Sequence, residues 1–163
     1  MKVLGIDPGT AACGYGIVHE EDGRLRAIDF GSWTTPARES PALRLRTIYE
    51  RVAELIADHA PAAAALEESF VGADARIALS VGQARGAVLV ACARGGVDCT
   101  EYTPAMIKKS VCGYGRADKP QMQRMVKAIL GLDATPEPHH AADALAVAIC
   151  HALAPPLLKQ VAS

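Results

Sequence analysis

The sequence has few aromatic residues and few cysteines. Phe, Tyr and Trp supply 4% of the 163 residues, and the five cysteines form no C-x-x-C pair. An odd number of scattered cysteines argues against both a disulfide framework and a zinc knuckle. We therefore expect most of the cysteines to be small core residues in a reducing compartment.

An excess of charge of one sign and long apolar runs are also missing. The formal net charge is -1, so the overall charge does not indicate a DNA-binding surface. No apolar run reaches the length that a bilayer requires, and Asp7 stands where a secretory signal would continue its apolar stretch. These features predict a cytoplasmic protein with no membrane partner.

What the sequence does contain indicates one ordered domain. Half of the residues are hydrophobic and 21% are charged, values that fit a globular protein. Repeats, linkers and low-complexity tracts are absent from the sequence. We predict a single domain over residues 1–156, followed by a short C-terminal tail over residues 157–163.

The periodicity of the apolar residues predicts an α/β fold. Short apolar runs joined by glycine-containing turns predict an antiparallel meander, with strands over 2–7, 14–18 and 25–33. Two further runs predict strands over 63–67 and 97–102. Helical spacing predicts helices over 41–59, 76–94, 104–111, 119–130 and 139–153. The predicted architecture is a five-stranded mixed sheet, three antiparallel strands and then two parallel ones, with helices on both faces.

Acidic residues stand where the predicted strands end. Asp7 closes the first strand, and Glu67 and Glu68 close the fourth. His140 and Asp143, three apart in the last helix, project from one face of that helix. Because open α/β sheets bind ligands at the carboxyl ends of their strands, these side chains are placed to hold a metal ion together.

Each of these residues also has a purely structural interpretation. Asp7 could cap a turn, and a glutamate at a strand end is most often solvated. His139 and His140 could cap the last helix, with Asp143 favoured in its first turn by the helix dipole. Three separate elements that deliver oxygen or nitrogen ligands to one edge favour the metal site over these interpretations.

One segment is locally basic although the chain is nearly neutral. Between residues 108 and 127 a single acid, Asp118, accompanies six basic residues: Lys108, Lys109, Arg116, Lys119, Arg124 and Lys127. Such a segment can neutralise phosphates even when the net charge of the protein is close to zero.

Five short blocks, in order and at compatible spacing, carry a family resemblance. They are GIDPGT at 5–10, LEESF at 66–70, GQARG at 82–86, VCGYG at 111–115 and AADALA at 141–146. Together with Lys119 they resemble the RuvC-type Holliday-junction resolvases over almost the whole chain. The resemblance implies a ribonuclease-H-like fold and a homodimer that nicks two strands of a four-way DNA junction symmetrically. It also implies a partnership with a branch-migration helicase complex.

The resemblance also assigns a catalytic centre. Asp7, Glu67 and Asp143 match the acidic catalytic residues of the family, whereas the position three before Asp143, often aspartate in the family, is His140 here. Phosphodiester hydrolysis by such a set implies two divalent cations, Mg²⁺ or Mn²⁺, with Asp7 as the bridging ligand. His140 could ligate a metal or carry a proton to or from the attacking water.

DNA contacts form a second group of expectations. Lys108 and Lys119 match family lysines that approach the scissile phosphate, and Phe70 matches an aromatic that stacks on bases at the junction centre. From the residues alone, the lysines could be solvated and Phe70 could be a core residue. Further candidates for phosphate contacts are Lys109, Arg116, Arg76 and Arg85. Arg85 could instead brace its helix, whose small residues are the candidate dimer surface: Ala78, Gly82, Ala84 and Gly86.

Three other functions remain open at this point. The segment Asp7 to Thr10, with Gly14 and Gly16, also resembles the first phosphate-binding hairpin of actin-like ATPases and sugar kinases. Those proteins need a second, similar half and usually more than twice this length. A ribonuclease-H-like nuclease acting on RNA precursors would share the fold and the acids. A non-catalytic junction-binding protein is the third alternative.

Overall fold

The computed structural model describes residues 1–68 and 74–154. Within them, the strands are β1 Lys2–Asp7, β2 Ala12–Glu21, β3 Arg24–Thr34, β4 Ala63–Glu67 and β5 Cys99–Tyr102. The helices are α1 Pro41–His59, α2 Ala75–Arg94, α3 Pro104–Cys112, α4 Lys119–Leu130 and α5 His139–Leu153. The predicted domain over 1–156 and tail over 157–163 stay predictions, because residues 155–163 lie outside the described part.

The strands form one sheet in the order β3-β2-β1-β4-β5. Strand β1 pairs antiparallel with β2, and β2 pairs antiparallel with β3. On its other side β1 pairs parallel with β4, which pairs parallel with β5. The predicted mixed sheet is therefore confirmed. Strand β5 begins at Cys99 rather than at Val97, because the Val97 amide donates instead to the Cys92 carbonyl and helps to end α2.

Helices cover both faces of the sheet, as predicted. Val3 of β1 packs with α3, α4 and α5 on one face. Leu4 and Ile6 point to the other face and pack with α1 and α2. Helix α5 is buried nearly all round, with buried residues from Ala141 to His151. The reason is that α5 lies between the sheet and the α3–α4 pair.

Helix α5 approaches the sheet closely because glycines line its path. A Cβ atom added at Gly5 would stand 2.1 Å from the carbonyl oxygen of Ala144. A Cβ at Gly14 would stand 2.0 Å from the carbonyl oxygen of His140. Neither position therefore tolerates a side chain while α5 keeps its place. The first turn of α5 consequently lies against the strand ends that carry the candidate acids.

The helix ends follow local sequence signals. Ser40 caps α1 by accepting a hydrogen bond from the Leu43 amide, and Pro41 occupies the first turn. At the start of helix α5 the N-cap residue is Pro138, and no side chain caps the helix. His139 and His140 therefore do not act as caps, which removes the structural interpretation of that pair.

Helix α2 requires a correction to the sequence analysis. Its 20 residues are long and apolar enough, by length and composition alone, to cross a membrane. The statement that no apolar run reaches this length was therefore wrong. Ala84 and Val88 nevertheless pack in the core of the domain, while the outer face of the helix exposes Ile77, Leu79 and Val90.

The cysteines agree with the expectation drawn from their scatter. Cys13, Cys92 and Cys150 are buried, Cys99 and Cys112 are half-buried, and all five are free thiols. The protein thus uses them mainly as small apolar residues.

Candidate active site

Two candidate acids lie side by side at the end of neighbouring parallel strands. Ile6 of β1 is in register with Leu66 of β4, so the next residues, Asp7 and Glu67, end the two strands next to each other. On its other side Asp7 faces Gly14 of β2. The parallel register thus brings together residues that are 60 positions apart in the sequence.

Helix α5 adds a histidine in direct contact with Asp7. The Nδ1 atom of His140 lies 2.7 Å from the Oδ2 atom of Asp7, and the side chains are 31% and 23% exposed, respectively. The glycine at position 14 makes this contact possible, because a Cβ there would stand 2.9 Å from the His140 Cβ. The ring of His139 packs at 4.1 Å, centroid to centroid, from the ring of His140.

The carboxyl groups form one electrostatic unit. Burial raises the pKa of Glu67, and the negative charges of Asp7 and Asp143 raise it further. Burial likewise raises the pKa of Asp143, with a second contribution from the charge of Asp7. The charge of Asp7 thus disfavours ionisation of both Glu67 and Asp143, which is the expected behaviour of carboxylates that share a site without a counter-ion.

Lysines flank this acidic group and partly offset the repulsion. Lys108 and Lys119 lower the pKa of Glu67, and Lys119 lowers that of Asp143. The Nζ atom of Lys119 lies 3.9 Å from Oδ2 of Asp143, and its side chain is 76% exposed. An exposed ammonium group held beside a carboxylate is well placed to meet a second anion that approaches from solvent.

The donor set suits a divalent cation by its chemistry. Asp7, Glu67 and Asp143 offer hard carboxylate oxygens, the ligands that Mg²⁺ and Mn²⁺ prefer, and His140 adds an imidazole. Within residues 1–68 and 74–154, no three His, Cys, Asp or Glu side chains converge closely enough to hold an ion as they stand. The raised pKa values of Glu67 and Asp143 supply the argument for fit, because a cation would relieve the repulsion that contributes to them.

The remaining predicted site residues divide into three groups. Lys109, Arg116 and Arg76 are exposed, the last in the first turn of α2. Arg85 is partly buried and donates a hydrogen bond to Glu101 of β5, so the structure shows the bracing contact, while its predicted phosphate contact stays untested. Phe70, predicted to stack on DNA bases, lies outside the described residues.

Sequence reasoning missed a polar network beside Asp7. It joins the turn after β1 to α1, to the end of β3 and to α2 through Thr10, Thr35, Arg44 and Ser80. These residues are far apart in the chain and form no motif, so only the folded arrangement reveals them.

The fold and the site together define a class of protein. A five-stranded sheet in this order, with carboxylates where β1, β4 and α5 meet, is the arrangement of a ribonuclease-H-like nuclease that depends on divalent metal. Comparison with known proteins then narrows the class. The sequence model of the family "Crossover junction endodeoxyribonuclease RuvC" matches residues 3–151 of the chain.

Individual relatives agree with the family match. The crossover junction endodeoxyribonuclease RuvC of Roseiflexus sp. (strain RS-1) is 50% identical over 160 residues, covering 98% of this chain and 95% of the relative. That of Moorella thermoacetica is 51% identical over 152 residues, covering 93% and 91%. The structure of Thermus thermophilus RuvC in complex with a Holliday junction substrate matches with a TM-score of 0.90 and 39% identity, covering 93% of each chain.

The chain therefore belongs to the RuvC family of crossover junction endodeoxyribonucleases. It is a hydrolase that cuts DNA, as the resemblance of its sequence blocks implied.

The raised pKa values predict that the acidic group destabilises the metal-free fold at neutral pH. When a carboxyl has a higher pKa in the folded than in the unfolded state, the free energy of unfolding falls as the pH rises from the lower pKa to the higher one. We expect Glu67→Gln and Asp143→Asn, in a buffer with chelator, each to raise the Tm at pH 7 by about 3 °C. The gain should vanish below about pH 3, where the carboxyl is largely protonated in both states.

The matched control for this measurement is Glu50→Gln on the exposed face of α1, where the side chain is 55% exposed. It should leave the Tm almost unchanged. A Tm at pH 7 that falls in both Glu67→Gln and Asp143→Asn would show that the acids stabilise the fold, contrary to this account.

Proposed function

We propose that this protein resolves four-way DNA junctions as a homodimer, with each protomer nicking one strand. The main observation behind this proposal is the group of interacting carboxylates at the ends of β1 and β4. His140 contacts this group and two lysines flank it. The Thermus thermophilus relative bound to a Holliday junction substrate supports the choice of DNA structure. A two-fold enzyme acting on a two-fold substrate would place one site on each of two strands.

We assign the metal ligands to Asp7, Glu67, His140 and Asp143, for two divalent cations per site. When bound, these ions supply an activated water and relieve the charge on the leaving oxygen. Asp7 is the candidate bridging ligand, because it lies between Glu67 on the neighbouring strand and His140 on α5. Mg²⁺ and Mn²⁺ both suit this largely carboxylate set.

The contact with Asp7 supports two possible roles for His140. If Nδ1 donates its proton to the Asp7 carboxylate, the neutral ring leaves the lone pair of Nε2 free. That nitrogen can ligate a cation or accept a proton from the attacking water. The ring orientation is held by the 2.7 Å contact and by packing against His139.

The basic residues are assigned to the DNA backbone. Lys119 and Lys108 act on the carboxylates of the site from the side of α3 and α4, where they would hold the scissile phosphate. Lys109 and Arg116 are exposed on the same segment and would contact neighbouring phosphates. Arg76 is assigned to the same role from α2, and Phe70 to base stacking.

The dimer is assigned to the outer face of α2. An added Cβ at Gly82 or Gly86 would meet nothing within 4 Å, so a partner helix has room to approach. Ile77 and Leu79 are 63% and 65% exposed on this helix, an apolar surface that association would cover. Ala84 was predicted to belong to the small-residue face, but it is fully buried in the core of its own chain.

Substrate choice is tested by cleavage of a synthetic four-way junction, a linear duplex and a structured RNA, with and without Mg²⁺ or Mn²⁺. The proposal expects symmetric paired nicks in the junction alone, and only with metal. Preferred cutting of RNA would favour the RNA-processing alternative. Tight junction binding without cutting in either metal would favour the non-catalytic one.

A cytoplasmic location and a branch-migration helicase complex as partner complete the proposal, the latter from family resemblance. Co-purification of the complex on junction DNA is its test. If no complex forms under conditions where junction cleavage proceeds, the proposed helicase partnership is contradicted.

His140 predicts a shifted metal preference. Imidazole is a softer ligand than carboxylate, so the ratio of cleavage rates in Mn²⁺ and Mg²⁺ should fall severalfold in His140→Asp. His19→Asp is the matched control, because it makes the same change on β2 opposite Lys2, at the end of β1 away from Asp7, and should leave the ratio as it is. An unchanged ratio in His140→Asp would contradict the prediction that His140 shifts the metal preference.

The assigned lysines predict the salt dependence of junction binding. Neutralising Lys108, Lys109 and Lys119 together should reduce the slope of log K against log salt by about 2–3, since each lost phosphate contact removes about 0.9. Arg24→Gln and Arg46→Gln, exposed elsewhere on the molecule, serve as the control. A slope unchanged by the three lysine substitutions would place the DNA on another surface.

The dimer surface predicts the effect of a bulky side chain on α2. A Cβ added at Gly82 meets no atom of the described residues within 4 Å, so Gly82→Leu should fold yet keep a partner helix at a distance. Sedimentation at micromolar concentration should show a dimer for the parent protein and for Ala57→Leu, on an exposed position of α1, and a monomer for Gly82→Leu. A parent protein that sediments as a monomer would contradict the assignment.

A further inference from the structure

The turn that follows Asp7 is held by one main-chain oxygen with two donors. The carbonyl of Thr10 accepts a hydrogen bond from Nη2 of Arg44 at 2.7 Å. It also accepts one from the hydroxyl of Thr35. A carbonyl oxygen has two lone pairs, so both are used, and the donors come from α1 and from the residue just after β3.

Arg44 closes this arrangement into a ring. Its Nε donates to the Thr35 hydroxyl oxygen at 2.7 Å while its Nη2 donates to Thr10. The planar guanidinium thus spans two acceptors that also contact each other, a geometry that a single ammonium group cannot reproduce. Thr35 is only 6% exposed, so its hydroxyl needs these partners.

Two further contacts fix the turn in place. The Thr35 amide donates to the Ala11 carbonyl at 3.2 Å. Gly9 admits no side chain, because a Cβ there would lie 2.4 Å from the Ala12 carbonyl oxygen. The segment from Pro8 to Ala11 is therefore held from several sides in one conformation, and it begins directly after Asp7.

The same turn is tied to α2. The hydroxyl oxygens of Thr10 and Ser80 lie 2.5 Å apart, within hydrogen-bond distance. Ser80 lies on the helix that carries Arg76 and the proposed dimer face. Thr10 therefore joins the turn after Asp7, through its carbonyl, to α1 and, through its side chain, to α2.

Simple stabilisation of α1 does not account for Arg44. Helix α1 already has a side-chain cap at Ser40 and buries Ile48, Val52 and Ile56 against the sheet. The guanidinium donates instead to two neutral acceptors. They are the main-chain oxygen of Thr10, three residues after Asp7, and the hydroxyl of Thr35. A charged group in contact with neutral acceptors beside a catalytic strand end is suited to holding that strand end still.

We propose that Arg44 is a positioning residue for DNA cleavage. It locks the turn from Pro8 to Ala11 and thereby the carboxylate of Asp7, and Ser80 couples this turn to the position of α2. The inference rests on the proposed function of Asp7 as a metal ligand. Loss of the lock should misplace Asp7 without changing the surface that binds DNA, so the rate of cleavage should fall while affinity for the junction stays.

The test compares full-length variants in single-turnover cleavage and junction-binding assays, well below the Tm of each variant. Arg44→Met should reduce the cleavage rate by about tenfold or more, because small displacements of catalytic groups have effects of this order. Its Kd for the junction should stay within about twofold of the parent value. Arg44→Lys, which retains a single donor group, should fall in between.

Two further variants make the test specific. Thr35→Val removes one hydroxyl at constant shape and should lower the rate in the same direction, which keeps the test valid if Arg44→Met does not fold. Arg46→Met is the matched control: it lies on the same helix, paired with Glu50, with a side chain 63% exposed. It should cut at the parent rate.

The link to α2 is tested by a double-mutant cycle. Ser80→Ala should lower the rate less than Arg44→Met, and the double variant should lose less than the product of the two single effects, because both act on the same turn. Effects that multiply would contradict the proposed coupling between Ser80 and Arg44.

The outcomes separate this inference from the proposed function. Asp7→Asn should abolish cleavage and keep junction binding; if Asp7→Asn still cuts at the parent rate, the proposed function fails. If Asp7→Asn is inactive while Arg44→Met and Thr35→Val cut at the parent rate, the positioning role fails alone. Rate and affinity lost together in Arg44→Met would make it a DNA contact and would also overturn the inference.

Discussion

The close packing of helix α5 on strands β1 and β2 is the constraint on which the rest of the structure depends. It exists because Gly5 and Gly14 have no side chains: a Cβ at either position would lie within about 2 Å of a carbonyl oxygen of α5. On α5, Ala144 and Ala148 face Gly5, and their small side chains also allow the close packing. The result is that His140 reaches Asp7 and that Asp143, nearly one turn later, joins the same electrostatic group.

This packing assembles a site that works against its own stability. Three carboxylates from β1, β4 and α5 are partly desolvated beside one another, and the pKa values of Glu67 and Asp143 rise as a consequence. Lys108 and Lys119 offset part of that repulsion and a divalent cation would offset more. Groups brought together for a ligand commonly destabilise the free protein, and here the repulsion is concentrated at the proposed site of DNA cleavage.

The sequence allowed the fold and the candidate acids to be predicted, but not their contacts. Strong local signals placed α1, α4 and α5 at their observed bounds, and short turns indicated the antiparallel strands. The contact of His140 with Asp7 joins residues 133 positions apart, and the network of Arg44 joins four separate elements. Such contacts depend on the packing of whole elements, so periodicity does not report them. Ala84 shows the same limit of sequence patterns. Its small size suggested that a partner helix packs there, but its side chain is buried in the core of its own chain.

The central claim is that Asp7, Glu67, His140 and Asp143 hold divalent metal for DNA cleavage. Its most direct test is a crystal of the protein soaked in manganese, examined by anomalous scattering at the manganese absorption edge. The account predicts anomalous peaks bound by Asp7, with Glu67, His140 and Asp143 as the other ligands. A fully soaked crystal with manganese bound elsewhere on the molecule, and none at Asp7, would contradict it.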